Sequence, residues 1–487
     1  MARTITKAKR ATKAKPTAAR TRKRPVAPRA SVRTAPGTAG VPIRTYRSAL
    51  AFLNSQTNYE KMLRVGYNNT NFNLNRMLRL LSALGNPHRK IRTMHVAGTK
   101  GKGSTCHMLA AMLRNAGQKV GLYTSPHFVD IRERIRVNDE MISESAFTKL
   151  MAQIQPVAYR MRRDAPTFFE IMTAAAFLQF AREGVDMAVI ETGLGGRLDS
   201  TNVIKPEAVG ITSISFDHVQ QLGNTLELIA EEKAGIFKPG VPAVSAPQTP
   251  GVKRVLRRVA QKVGCELKFV GDDIEFSYRF ESSRTTGPQT RVCMTTSTSR
   301  FDHLHVPLLG EHQAHNCALA LAMIDAVRQR GRDISEQAAI EGLAKVRIEG
   351  RMEVIRENPR VILDGAHNAA SVAALMRAIG QNVAYDSMVM IFGCCADKDI
   401  DGMLNQLELG ADKVIFTSSG SSRSALPTEL LMRFQERSPK MAQVGHSLLD
   451  AYRIASKSVS RDDLICIAGS CYLVGEAKKL QAQGLLD

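Results

Sequence analysis

Residues 94–105 read MHVAGTKGKGST: an apolar stretch runs into three glycines within six positions, then a helix-like segment rich in Ala and Leu. No other part of the chain limits its fold as strongly. Gly98, Gly101 and Gly103 let the backbone turn tightly with several N–H groups pointing inward, where they can converge on phosphate oxygens. Lys102 adds a full positive charge. Ser104 or Thr105 offers a hydroxyl to phosphate or Mg²⁺, and a helix opening near residue 102 adds the positive end of its dipole. The spacing is shorter than the standard G-x-x-x-x-G-K-[ST] form. A plain glycine turn with an exposed lysine is the alternative, and the strand–loop–helix setting speaks against it. The segment implies a nucleotide triphosphatase or an ATP-driven ligase.

A chain of 487 residues, 44% hydrophobic and 23% charged, predicts a soluble protein of two or three domains. No apolar run approaches the roughly 18 residues of a membrane span. The eight cysteines show no C-x-x-C spacing, so reduced thiols in a cytoplasmic protein are expected. The net charge of +22 is uneven: residues 1–40 hold 12 Lys and Arg and no Asp or Glu. That stretch has almost no large apolar side chain, so burial cannot offset the entropy of ordering it. We read residues 1–44 as a disordered basic tail. Such a tail can meet nucleic acid non-specifically through counterion release, or simply keep the chain soluble. Four scattered prolines and a single serine argue against a transit peptide.

From Tyr46 onward short apolar runs alternate with helical patterns, the mark of a parallel sheet flanked by helices. Strands are predicted at 91–97, 119–124, 186–191, 207–214, 241–245, 361–364, 387–393, 413–417 and 463–468. Helices are predicted at 103–115, 167–182, 225–236, 251–263, 311–330 and 447–458. Residues 274–308, rich in Thr, Ser and β-branched residues, suggest hairpins. A boundary near 345–350 divides an α/β domain over 45–347 from a smaller α/β domain over 348–487 that closes over it.

Ligands of open α/β sheets sit beyond the carboxyl ends of strands, so polar residues that follow apolar runs carry weight. Glu191 ends such a run and is followed by a glycine turn and Asp199; Asp217 and His218 follow another, and Ser125 a third. Mg²⁺ bridging phosphates takes one or two carboxylates plus waters, which suits Glu191. His218 is an atypical Mg²⁺ ligand on softness grounds, and by the residues alone a structural turn is the better reading of it. Lys233, beside Glu231 and Glu232 on an amphipathic segment, reads by itself as a surface ion pair. In the second domain Arg351 suits a phosphate, and Asp364 a ribose or a cationic substrate group.

HVAGTKGKGST, YTSPHF with RERIRVN, PTFFEIMTAAAF, ETGLGGRLDSTN, DHVQQLGNT, IAEEKAGIFKPG, LGEHQAHN, GRMEV, LDGAHN, FGCCADKD and GSCYLVGE occur in order from about Tyr46 to Glu476. Together they closely resemble the folylpolyglutamate synthase and dihydrofolate synthase family, a branch of the Mur ligase superfamily. The resemblance implies a P-loop NTPase-like, parallel-sheet ATPase domain followed by a smaller Rossmann-like α/β domain. It implies an ATP- and Mg²⁺-dependent amide ligase that joins glutamate to a pteroate or folate carboxylate, acts on small molecules and is monomeric. By motif, Gly101, Lys102, Gly103, Ser104 and Thr105 would hold ATP phosphates, and Asn316, Arg351 and Asp364 would contact the nucleotide. Ser125, Glu191 and His218 would ligate one or two Mg²⁺ ions. Lys233 aligns with a lysine that the family carbamylates, which reverses the surface-pair reading. Thr167, Leu198, Asp199 and Arg134 would lie on the pteroate side, and His367 and Ser470 near the incoming glutamate.

The chain departs from the family pattern in several places. Lys100 stands where Asn is usual, Glu349 where Pro precedes Gly350, and Ala369 where Pro follows DGAHN; RSALP around Arg423 replaces the usual PRA. Two other functions share parts of this pattern: a Mur-type ligase of a cell-wall peptide precursor, and a nucleic-acid-associated P-loop ATPase.

Overall fold

In the computed structural model, residues 42–62, 66–68, 70–283, 287–306 and 308–486 are described. Most of the expected basic tail, residues 1–41, lies outside them. Its last residues do not fit the expectation: Ile43 is buried among Ala49, Phe52 and Leu53, because an isoleucine beside an amphipathic helix gains more from burial than it loses in chain entropy.

Among the described residues the strands form three sheets. The first holds β1 (Thr93–Ala97), β2 (Val120–Tyr123), β3 (Ile135–Val137), β4 (Glu140–Met141), β5 (Met187–Glu191), β6 (Ala208–Ile211), β7 (Ala243–Ser245) and β8 (Leu267–Phe269). Its order is β4-β3-β2-β5-β1-β6-β7-β8. Helical crossovers make it parallel from β2 to β8, and at the β3–β4 hairpin only β3 runs against the rest. All five residues of β1 and of β5 are buried, as strands covered on both faces must be. One face packs on the helices Lys102–Asn115 and Glu311–Arg328 and on the second sheet; the opposite face packs on the helix Phe168–Glu183. That helix starts in a reciprocal capping box between Thr167 and Glu170 and stops at Gly184, whose φ of 58° ends the turn. Its Phe177 is fully buried, and truncation there to Ala would cost about 3–5 kcal/mol.

The second sheet is the expected hairpin region: β9 (Glu275–Ser283), β10 (Gly287–Thr295) and β11 (Arg300–Val306) form an antiparallel meander. The third sheet holds β12 (Glu353–Glu357), β13 (Arg360–Leu363), β14 (Met388–Phe392), β15 (Lys413–Phe416), β16 (Met441–Val444) and β17 (Leu464–Ala468), in the order β12-β13-β17-β14-β15-β16. It is parallel except at β12 and has its own apolar layers on both faces.

The predicted strands are all present, with ends shifted by one to three residues. The largest difference is at 207–214, where ladder pairing stops at Ile211. Beyond it the carbonyl of Ser213 accepts the amides of Thr99 and Lys100, so these residues support the phosphate loop instead of extending the sheet. Two departures from the family pattern have visible partners. Glu349 pairs with Arg136 of β3 (3.6 Å) and Lys478 of the last helix (2.8 Å), linking the two halves. Ala369 opens the helix Ala369–Asn382 behind the N-cap Asn368, the position where proline and ordinary helix formers are both accepted.

Candidate active site

Beyond Ala97 the chain turns through Gly98 (φ 145°) and Gly101 (φ 83°), and here glycine is required twice over. A methyl group on Gly98 would lie 1.7 Å from Thr212 Oγ1, and one on Gly101 2.1 Å from Asn316 Oδ1. The helix Lys102–Asn115 follows with no side-chain cap, so its first amides remain available to an anion. Lys102 folds back, its Nζ 3.4 Å from the Thr99 carbonyl.

The loop forms one wall of a cavity of about 340 Å³. Gly101, Lys102, Gly103, Ser104, Ser125, Thr167, Glu191, Leu198, Asp199, His218 and Lys233 line it from the first half; Arg351, His367 and Ser470 line it from the second. The carboxyl ends of β1, β2, β5 and β6 converge there, as the sheet order requires. Glu191 is buried and accepts the Ser125 amide at 3.0 Å. Burial raises its pKa, against the pull of Lys102. His218 takes a left-handed φ of 50° at a helix start, and its side chain remains 43% exposed at the cavity wall.

Lys233 is not a surface residue. It is 4% exposed, and its Nζ donates to the Gly98 carbonyl at 2.6 Å. Burial, then the nearby Lys102, drives its pKa well below the lysine range. An ammonium group is costly in such a place, and a neutral amine or an anionic derivative is favoured.

Four expected residues do not line the cavity. Thr105 is buried behind the loop, with no hydrogen-bond partner for its hydroxyl among the described residues. Asn316 presses on Gly101 from behind and donates to Gln313. The Asp364 carboxylate accepts the amides of Met352 (2.9 Å) and Ala366 (2.8 Å), which fixes the turns carrying Arg351 and His367. Arg134 is 1% exposed, paired through both Nη atoms with Glu60 at 2.8 Å, and donates to His127; its guanidinium is therefore spent on holding Glu60, which does line the cavity. Asp199 lines the cavity, yet its oxygens accept from Leu194 and Thr201, so it caps a turn. Thr167 and Ser470 likewise cap helices that begin at the cavity wall. His367 Nδ1 lies 2.8 Å from the Gly365 carbonyl.

Several lining residues went unassigned in the sequence. Tyr59, Phe72 and Phe169 build an aromatic end, with the rings of Tyr59 and Phe72 5.3 Å apart. A buried ion pair, Arg76 Nε to Glu170 Oε2 at 2.8 Å, lies beside it. Lys398 and Tyr472 enter from the second half. The quoted motifs FGCCADKD and GSCYLVGE contain Lys398 and Tyr472, but nothing in them shows which way the halves face each other. Asp217 meets both halves. Burial alone would raise its pKa, but Lys100 and Lys398 hold it well below the carboxylate range.

Residues 96–324 match the Mur ligase middle domain, and residues 350–471 the Mur ligase glutamate ligase domain. With the phosphate loop and the two-sided cavity, they define an ATP-dependent ligase of the Mur type. The dihydrofolate synthase/folylpolyglutamate synthase of Bacillus subtilis is 36% identical over 412 residues, covering 83% of this chain and 94% of that one. The folylpolyglutamate synthase of Lacticaseibacillus casei is 33% identical, covering 83% and 93%. The chain belongs to the folylpolyglutamate synthase/dihydrofolate synthase family and is an ATP-dependent acid–amino-acid ligase. Among solved structures, Mycobacterium tuberculosis folylpolyglutamate synthase complexed with ADP superposes with a TM-score of 0.82 at 31% identity, covering 90% of this chain and 98% of that one. Escherichia coli FolC in complex with DHPP and ADP gives 0.78 at 29% identity, covering 92% and 99%. Among the described residues no helix is long and apolar enough to cross a membrane.

Proposed function

We propose that this ligase joins L-glutamate to the carboxylate of dihydropteroate or a reduced folate, forming an acyl phosphate from ATP on the way. The observation that carries the reading is the single cavity with a phosphate loop on one wall, an aromatic end at Tyr59, Phe72 and Phe169, and the second half opposite. A flat pterin suits the aromatic end, and triphosphate suits the loop. The names of the relatives favour folate over a cell-wall peptide. In this reading residues 45–347 bind ATP and pteroate, with Thr167, Leu198 and Asp199 shaping the pteroate side. Residues 348–487 bring Arg351 to the nucleotide, and His367 and Ser470 to the glutamate.

A carboxylate is a weak electrophile, and its attack on the γ-phosphorus brings two anions together. Lys102 and the first amides of its helix stabilise the charge that moves onto the phosphate oxygens. Once the acyl phosphate forms, the glutamate amine attacks the carbonyl and phosphate leaves; closure of the second half excludes water from that carbonyl. Asp364, Asn316 and Thr105 act from behind the wall by fixing backbone, and Arg134 acts through Glu60.

Among the described residues no three His, Cys, Asp or Glu side chains cluster as a ready-made metal site. The donors still fit Mg²⁺, which draws most of its shell from waters and phosphates: a buried Glu191 carboxylate, the Ser125 hydroxyl and the His218 imidazole share one cavity. Bound there, Mg²⁺ supplies counter-charge to the triphosphate. Lys233, as a neutral amine, can add to CO₂ with loss of a proton, forming an anionic carbamate at the same wall.

The eight cysteines are all free, which supports a cytoplasmic protein, and we read it as a monomer whose basic residues 1–40 touch nucleic acid at most non-specifically. Purified protein incubated with ATP, Mg²⁺, glutamate and either dihydropteroate or tetrahydrofolate tests the reading by product mass. A glutamyl product on either acceptor is expected. ATP hydrolysis with neither acceptor extended would refute it.

A further inference from the structure

Asp217 lies just past β6, where the two halves meet. Its Oδ2 accepts Lys100 Nζ from the phosphate loop at 2.8 Å and Asn368 Nδ2 from the second half at 3.1 Å. Its Oδ1 accepts Lys398 Nζ, also from the second half, at 2.9 Å, and the amide of His218 at 3.0 Å. The side chains of Asp217, Lys398 and Lys100 are 9%, 12% and 19% exposed, and all three residues line the cavity beside Gly101 and Lys102. His218 and His367 stand 3.9 Å from the carboxylate.

A carboxylate at a phosphate site repels the ligand unless it brings in more positive charge than it cancels. Here it brings two ammonium groups, so the group as a whole is cationic. Without the carboxylate, Lys100 and Lys398 would face each other as like charges in a poorly hydrated seam and drive the halves apart. Neither lysine can take up this position alone, because each comes from a different half.

We propose that Asp217 is a positioning residue for phosphoryl transfer: it clasps the two halves and presents Lys100 and Lys398 together as a cation pair for the terminal phosphate. The clasp makes closure of the second half and completion of the phosphate site one event. It depends on ATP chemistry and only secondarily on the folate acceptor.

The test uses the full chain carrying Asp217→Asn, Asp217→Glu, Lys100→Asn, Lys398→Met and the double variant Lys100→Asn/Asp217→Asn. Ligation kinetics and small-angle X-ray scattering with the ATP analogue AMPPCP are measured for each. Asp217→Asn should lower kcat at least about tenfold, with KM for the acceptor within about twofold, and should enlarge the radius of gyration relative to wild type. Asp217→Glu should recover part of the loss. The double variant should be no slower than Asp217→Asn alone, because both changes break one unit. Wild-type kcat together with a wild-type scattering profile in Asp217→Asn would overturn the proposal, and so would losses that multiply in the double variant. If wild type extends neither acceptor, the folate reading falls separately, and the scattering arm still decides the clasp.

Discussion

Lys233 donates from Nζ to the Gly98 carbonyl at 2.6 Å, tying a buried lysine to the first glycine of the phosphate loop. With its pKa far below the lysine range, the side chain is poised as a nucleophile toward CO₂. Lys233→Ala should abolish ligation, with at least about a hundredfold loss, while the protein remains folded. Short carboxylic acids such as formate should restore part of the activity by standing in for the carbamate. Equal loss in Lys233→Ala with no response to formate, together with no CO₂ dependence in wild type, would refute a carbamate there.

Glu191 offers the buried carboxylate at the end of β5. Glu191→Gln keeps the shape and the Ser125 contact but removes the charge. We expect kcat to fall by about 3 kcal/mol, roughly a hundredfold, and the Mg²⁺ concentration needed for half-maximal rate to rise. An unchanged Mg²⁺ requirement would remove Glu191 from the metal shell.

Gly101→Ala should be severe for two separate reasons: a φ of 83° and a methyl 2.1 Å from Asn316 Oδ1. Removing the obstacle with Asn316→Ala should recover only the steric part, since left-handed strain of about 1–2 kcal/mol remains. Calorimetric titration with AMPPCP separates the two: weaker binding in Gly101→Ala, partly restored in the double variant.

His95, at the centre of β1, is fully buried; burial lowers its pKa to about 3, so it stays neutral in the folded chain. The unfolded chain binds the proton near pH 6.5. Stability from this group is therefore complete above that pH and declines as pH falls toward 3, by about 2 kcal/mol at pH 5. Tm measured from pH 8 to 5 should drop below about pH 6.5, and His95→Asn should flatten the slope. A parallel slope in the variant would assign the acid sensitivity to other groups.

The phosphate loop, the nine strands and the polar residues that follow them were legible because buried parallel strands write themselves as continuous apolar runs. Glu191 shows this directly, ending MAVIE before a glycine turn. Lys233 had a legible signal that its acidic neighbours masked. Ile229, Ala230, Lys233 and Ala234 are the buried positions of their helix, spaced three and four apart, so the lysine lies on the apolar stripe, while Glu231 and Glu232 reach Arg258 and Arg197 outside. Arg134 was beyond reach, since its partner Glu60 lies 74 positions away and no local pattern joins them. Lys398 and Asp217, 181 positions apart, meet only through the packing of one half on the other.

The cavity walls belong to two separately cored halves whose chain crosses once, between Ala344 and Glu353. If the two halves must separate to release a product bound between them, that motion and not bond making would set the pace. Throughput would follow the tempo of this breathing motion, so a viscous solvent should slow the enzyme even when every reactant is saturating.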